Sequence, residues 1–186
     1  MRFTQATMAI GCTLGVLVGP TAASAAERRH FKADLQTTSQ FVPIQFVNSL
    51  RCVDEVGHAP AIGMLKVVGS GDASILGPVL DEQSHCLRAD FSFFDGRFTM
   101  TNAEGDAISG RYFGELLPTF NSTFPPDAPP GGPWLILGNV CIENGMAGRI
   151  DNDCRRGSYR PARGITNVTT GDATIFLDQT IGIGGR

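Results

Sequence analysis

Between residues 87 and 101 apolar side chains recur at every second position: Leu87, Ala89, Phe91 and Phe93, then Phe98 and Met100. A period of two places one face of an extended chain against a core and the other in water, so strands are predicted here and not helix. Asp95-Gly96 breaks the alternation. Both residues tolerate the positive φ angles of a tight two-residue turn, and a hairpin is expected at that point. A second turn, Ala103-Glu104-Gly105-Asp106, leads into another alternating run, so residues 86–115 read as a three-stranded meander.

Further strands are predicted over 41–48, 61–68, 73–76, 134–142 and 173–181, about eight in all, at the spacing of an all-β barrel or sandwich. A closed antiparallel barrel is favoured, because closure removes the edges that several hydrophobic strands would otherwise expose. No stretch keeps apolar residues at helical spacing for three turns without a Gly or Pro intruding. Residues 124–133 hold five prolines, each lacking a ladder donor, and read as an external loop. Residues 26–40 read as a polar lead-in and 41–186 as the barrel domain. The recurring Gly-Asp-Ala at 71, 105 and 171 reads as a reused turn, in which Gly supplies φ and Asp bonds nearby amides.

Composition narrows the picture. The 186 residues suffice for one substantial core, and 23 Gly with 11 Pro fit short elements joined by many turns. A formal net charge of −3 provides no global attraction for nucleic acid or an anionic membrane. Residues 1–25 carry an early Arg2, an apolar run from Met8 to Gly19 and a small-residue stretch, the pattern of an export signal cleaved after Ala25. That run is short of the roughly 20 residues a membrane-crossing helix needs, so no stable insertion is expected. A lipidated Cys12 is the rival reading, and the expected location is secreted or periplasmic.

Removal of the leader leaves Cys52, Cys86, Cys141 and Cys154, an even set in an oxidising compartment, so two disulfides are expected. Four cysteines allow three connectivities. Cys52 with Cys86 and Cys141 with Cys154 is preferred, since each pairing closes a local loop. No metal or other cofactor is expected, for there is no Cys-x-x-Cys and His30, His58 and His85 lack ligand spacing.

Two segments carry a family resemblance. Gly69-Ser70-Gly71-Asp72-Ala73-Ser74-Ile75-Leu76-Gly77 is followed by a run from Phe94-Asp95-Gly96-Arg97-Phe98-Thr99 to Gly110-Arg111-Tyr112-Phe113-Gly114. Over residues 69–115 this resembles bacterial secreted proteins with an allene-oxide-cyclase-like β-barrel domain. Beyond Pro118 the likeness weakens. The resemblance implies a small antiparallel barrel of about eight strands around an interior cavity, and it assigns no catalytic residue.

For chemistry, no Gly-x-Ser-x-Gly signals a nucleophile, and Gly182, Gly184 and Gly185 precede no helix that could cradle phosphate. Asp90, Glu104, Glu115 and Asp178 read first as solvated turn and strand-end carboxylates. Phe91, Phe93, Phe98, Tyr112 and Trp134 are candidates to line an apolar pocket, with Tyr112 or Glu115 as its polar group. Arg149, Arg155, Arg156, Arg160 and Arg163, beside Tyr159, could gather a carboxylate or phosphate; of these Arg156, Arg160 and Arg163 are the ligand candidates. The expected function is binding of a small apolar or anionic ligand, or of an envelope partner, by an exported, disulfide-stabilised barrel. The alternatives are a cyclase or isomerase acting in the cavity and a purely structural protein.

Overall fold

The computed structural model describes residues 27–47, 51–53, 56–118, 133–145 and 154–183. The expected leader with Cys12, Arg149 and most of the expected loop at 124–133 lie outside them. Eight strands follow in chain order: β1 (Glu27–Pro43), β2 (Ala61–Ala73), β3 (Gly77–Arg88), β4 (Ser92–Asn102), β5 (Ala107–Pro118), β6 (Pro133–Gly145), β7 (Arg160–Asn167) and β8 (Asp172–Ile183). Each pairs antiparallel with the next, and β8 closes on β1 to complete a barrel. The protein is therefore an all-β, eight-stranded antiparallel barrel, as the alternation predicts. Among the described residues no helix is long and apolar enough to cross a membrane.

Several boundaries differ from the sequence reading, each for a physical reason. The polar lead-in is in fact most of β1, in which Phe31, Ala33, Leu35 and Thr37 point inward and are buried while the residues between them face solvent. Its outer positions are all polar, which masks the period of two. The strand expected at 73–76 is instead the end of β2 at Ala73 and the turn 74–76 that leads into β3. Asp95-Gly96 is no hairpin turn but a bulge within β4, with Asp95 at φ 44°. An Asp-Gly pair supplies positive φ for a bulge as readily as for a turn. The real reversal is Ala89-Asp90-Phe91, where Phe91 takes φ 64° and Asp90 accepts hydrogen bonds from the Ser92 amide and hydroxyl. Of the Gly-Asp-Ala repeats, those at 105 and 171 lie at turns and the one at 71 lies inside β2.

Two disulfides stand where preferred: Cys52–Cys86 at a Cα separation of 5.2 Å and Cys141–Cys154 at 5.0 Å. The first sits on the outside of the barrel in a small apolar cluster with Ala61, against Met64 and Phe94. Arg51 reinforces it, donating to the Asp95 carboxylate at 2.7 Å and to the Ser84 hydroxyl at 3.0 Å. Paired sulfur of this kind points to an oxidising environment. Inside the barrel the main core gathers toward one end, with Phe31, Met100, Ile108, Ile142 and Ile181 all fully buried.

Candidate functional site

The opposite half of the lumen is not filled. A cavity with about 90 Å³ open to the centre of a water molecule runs from Met100 and Val140 toward the end where β5 finishes and β6 begins, past Leu116, Ile136 and Thr166. The packed core closes one end, so the lumen is a one-ended cup. Its walls are mostly hydrocarbon and aromatic ring, as expected of ligand pockets.

Besides Thr37, Ser39, Gln83 and Thr166, one hydrogen-bonded pair of rings stands in this wall. Alternation along β3 turns Val79, Asp81, Gln83 and His85 inward, and alternation along β5 turns Ile108, Tyr112 and Leu116 inward. The two strands are separated by β4, whose bulge sets Gly96 opposite Tyr112. A Cβ at Gly96 would fall 2.6 Å from the Tyr112 ring. Glycine there lets the ring lie across β4 and place its hydroxyl 2.8 Å from His85 Nδ1. Phe93 holds the imidazole from another side, ring centroids 4.9 Å apart.

Burial governs the charge state. His85 is pushed down to about 3, first by desolvation and second by the Arg51 cation, so the ring is neutral near pH 7. Desolvation, with the negative field of Asp81, holds the Tyr112 hydroxyl well above its usual value, so it keeps its proton. If that hydroxyl donates to Nδ1, a single N–H at Nε2 remains unpaired; the other tautomer leaves both a bare Nε2 and an unpaired phenolic hydrogen. The first arrangement strands fewer groups and is the one we adopt. Four buried polar atoms have no partner among the described residues: His85 Nε2, Thr37 Oγ1, Asp81 Oδ1 and Gln179 Nε2. Asp81, below the cavity, is lifted by burial to about 6 despite its hydrogen bond from Gln83.

The structure divides the sequence candidates. Phe93, Phe98 and Tyr112 line the cup. Phe91 and Trp134 form a ring pair, 4.9 Å between centroids, at the rim. Glu115 is exposed on the outer face, because inward positions of β5 carry even numbers up to Leu116; it is not a polar group of the lumen. Arg163 likewise points outward, and Arg155 and Arg160 are exposed, so these cations do not converge on the cup. Arg156 lies in the short turn after Cys154. Sequence reading missed His85, Asp81, Gln83 and Thr37 as lumen groups. The signal was period-two parity counted back from Cys86 along β3, hidden by the misplaced strand at 73–76. Among the described residues no three His, Cys, Asp or Glu side chains converge as metal ligands do.

Fold and site together define a class: a closed antiparallel barrel with a one-ended apolar cup and a neutral histidine–tyrosine pair in its wall. It is compatible with the barrel implied by the resemblance over residues 69–115. No family model matches the chain, and neither does any curated protein or solved structure.

Proposed function

We propose that this protein is an exported binding barrel that takes a small, neutral, largely apolar molecule into its cup. The observation that carries the reading is the unfilled apolar half-lumen with a neutral hydrogen-bonding pair as its main polar feature. Apolar lining favours hydrocarbon at about 25 cal/mol per Å² removed from water. A charged head group would lose its hydration there and meet no cation among the described lining residues, since Arg155 and Arg160 are exposed and Arg163 points outward. A cavity of about 150 Å³ holds one benzene, so the roughly 90 Å³ here suits a slender group such as an alkyl or acyl chain, with any bulkier part at the rim. Export through residues 1–25, with cleavage after Ala25, belongs to the same reading and is supported by the two disulfides.

Native mass spectrometry of protein purified from its own host tests it, with a stoichiometric apolar adduct expected. Gly138 lines the cup, and a Cβ added there would meet nothing nearer than 3.5 Å. Gly138→Val should therefore fill the space, keep the fold and abolish the adduct. Trp134 is the only tryptophan and stands at the rim, so its emission should shift on ligand entry. Purified protein that carries nothing, and that shows no tryptophan response to a series of fatty alcohols and methyl esters, would reject the proposal.

The second reading is an isomerase- or cyclase-type reaction, favoured by a buried Tyr112 hydroxyl held against His85. Under it Tyr112→Phe should abolish turnover while leaving binding largely intact. Equal turnover by the variant would retire that reading.

A further inference from the structure

The outer surface of the barrel is not uniform. Every outward position of β1 from His30 to Gln40 is polar, as expected of a wall that meets water. Across β5 to β8 the outer face instead carries Phe113, Leu117, Leu135, Leu137, Ile165 and Phe176. Of these Phe113 is 43%, Ile165 51% and Phe176 46% exposed. The run Trp134-Leu135-Ile136-Leu137 at the start of β6 is apolar on both faces, the pattern of a strand covered on both sides. The lumen covers one side. The other faces outward, and exposed apolar patches of this kind mark contact surfaces.

The charges within the patch identify what covers it. In register, Glu115 of β5, Leu137 of β6 and Arg163 of β7 form one row, and Leu117, Leu135 and Ile165 form the next. Glu115 and Arg163 thus flank β6 symmetrically with opposite sign, and neither makes a side-chain ion pair or hydrogen bond among the described residues. A two-fold rotation about an axis lying in the contact plane along β6 exchanges the two flanks. It sets Glu115 of one copy against Arg163 of the other, twice. It also brings Leu117 onto the second copy's Ile165, and Leu135 and Leu137 onto their own counterparts. Rotation about an axis across the strands would instead oppose Glu115 to Glu115, so charge selects the first arrangement. A self-complementary surface of this kind is what an isologous dimer requires.

We propose that the outer face of β5–β7 is the contact through which two copies of this chain associate, about a two-fold axis along β6, with reciprocal Glu115–Arg163 pairs beside an apolar centre. The proposal is independent of what the cup binds.

Sedimentation velocity of the full, oxidised chain over a concentration series tests it. Reversible dimerisation is expected. Glu115→Arg and Arg163→Glu each place like charges across the contact twice and should weaken association about tenfold or more. The doubly exchanged variant, Glu115→Arg with Arg163→Glu, restores opposite signs and should dimerise again. Both positions are exposed, so unchanged thermal unfolding of a monomeric form is the control that the fold survives. A monomer at every concentration overturns the proposal. So does a dimer indifferent to the single reversals, or one that the double exchange fails to rescue.

Discussion

Asp81 and His85 share the inner face of β3, and burial pushes each toward its uncharged form. For Asp81 the folded value is about 6 against 3.8. Folding is then most stable with respect to this group below pH 3.8 and loses stability as pH rises toward 6. At about 1.4 kcal/mol per unit the loss is on the order of 3 kcal/mol at neutral pH. Asp81→Asn removes that loss and can keep the hydrogen bond from Gln83. It should be more stable than the parent near neutral pH, and the gain should vanish in acid, as read by urea unfolding at the two pH values. His85 has the opposite dependence. Its folded value of about 3 lies below 6.5, so its contribution is complete above pH 6.5 and is lost as pH falls toward 3. His85→Phe keeps a ring in the wall and should move the acid unfolding midpoint to lower pH. None of this is legible from residue type, since a lone His or Asp in sequence reads as a solvated side chain until parity shows which way it points.

At the scale of elements, the bulge in β4 organises the site. The alternation around Phe98 and Met100 was legible, whereas whether Asp95-Gly96 would turn the chain or bulge it was not. That choice depends on what pairs opposite, and here β5 supplies Tyr112. Gly96→Ala would force its Cβ to within 2.5 Å of the Tyr112 carbonyl oxygen. It should destabilise by about 1–3 kcal/mol and displace the tyrosine from His85. Gly138→Ala, which meets only ordinary contacts, should fall within about 0.5 kcal/mol of the parent. Thermal unfolding of the two variants side by side checks both. β7 escaped prediction for a different reason. Its outward residues include Pro161 and Arg163, it starts at an exposed Arg160, and its buried inward ones are only Ala162, Gly164 and Thr166, so no hydrophobic alternation marks it.

At the scale of the molecule, closure and cross-linking act together. Cys52–Cys86 spans 34 residues and Cys141–Cys154 spans 13. On the chain-entropy model these contribute about 4 and about 3 kcal/mol respectively. Replacing Cys52 and Cys86 by Ala should therefore lower the unfolding midpoint more than replacing Cys141 and Cys154. Thermal melts under non-reducing conditions decide the order. What the sequence by itself determined was the all-β class, a strand count near eight, the four cysteines Cys52, Cys86, Cys141 and Cys154 as the set that pairs, and the aromatic strip Phe93, Phe98 and Tyr112. These follow from local alternation and composition, which no distant contact can change. What only the tertiary structure decided was which half of the lumen stays open, that His85 meets Tyr112 across β4, and that Glu115 and Arg163 fall outside in one row. Each of those depends on register between strands far apart in the chain, and a one-residue slip in register would turn every side chain to the other face.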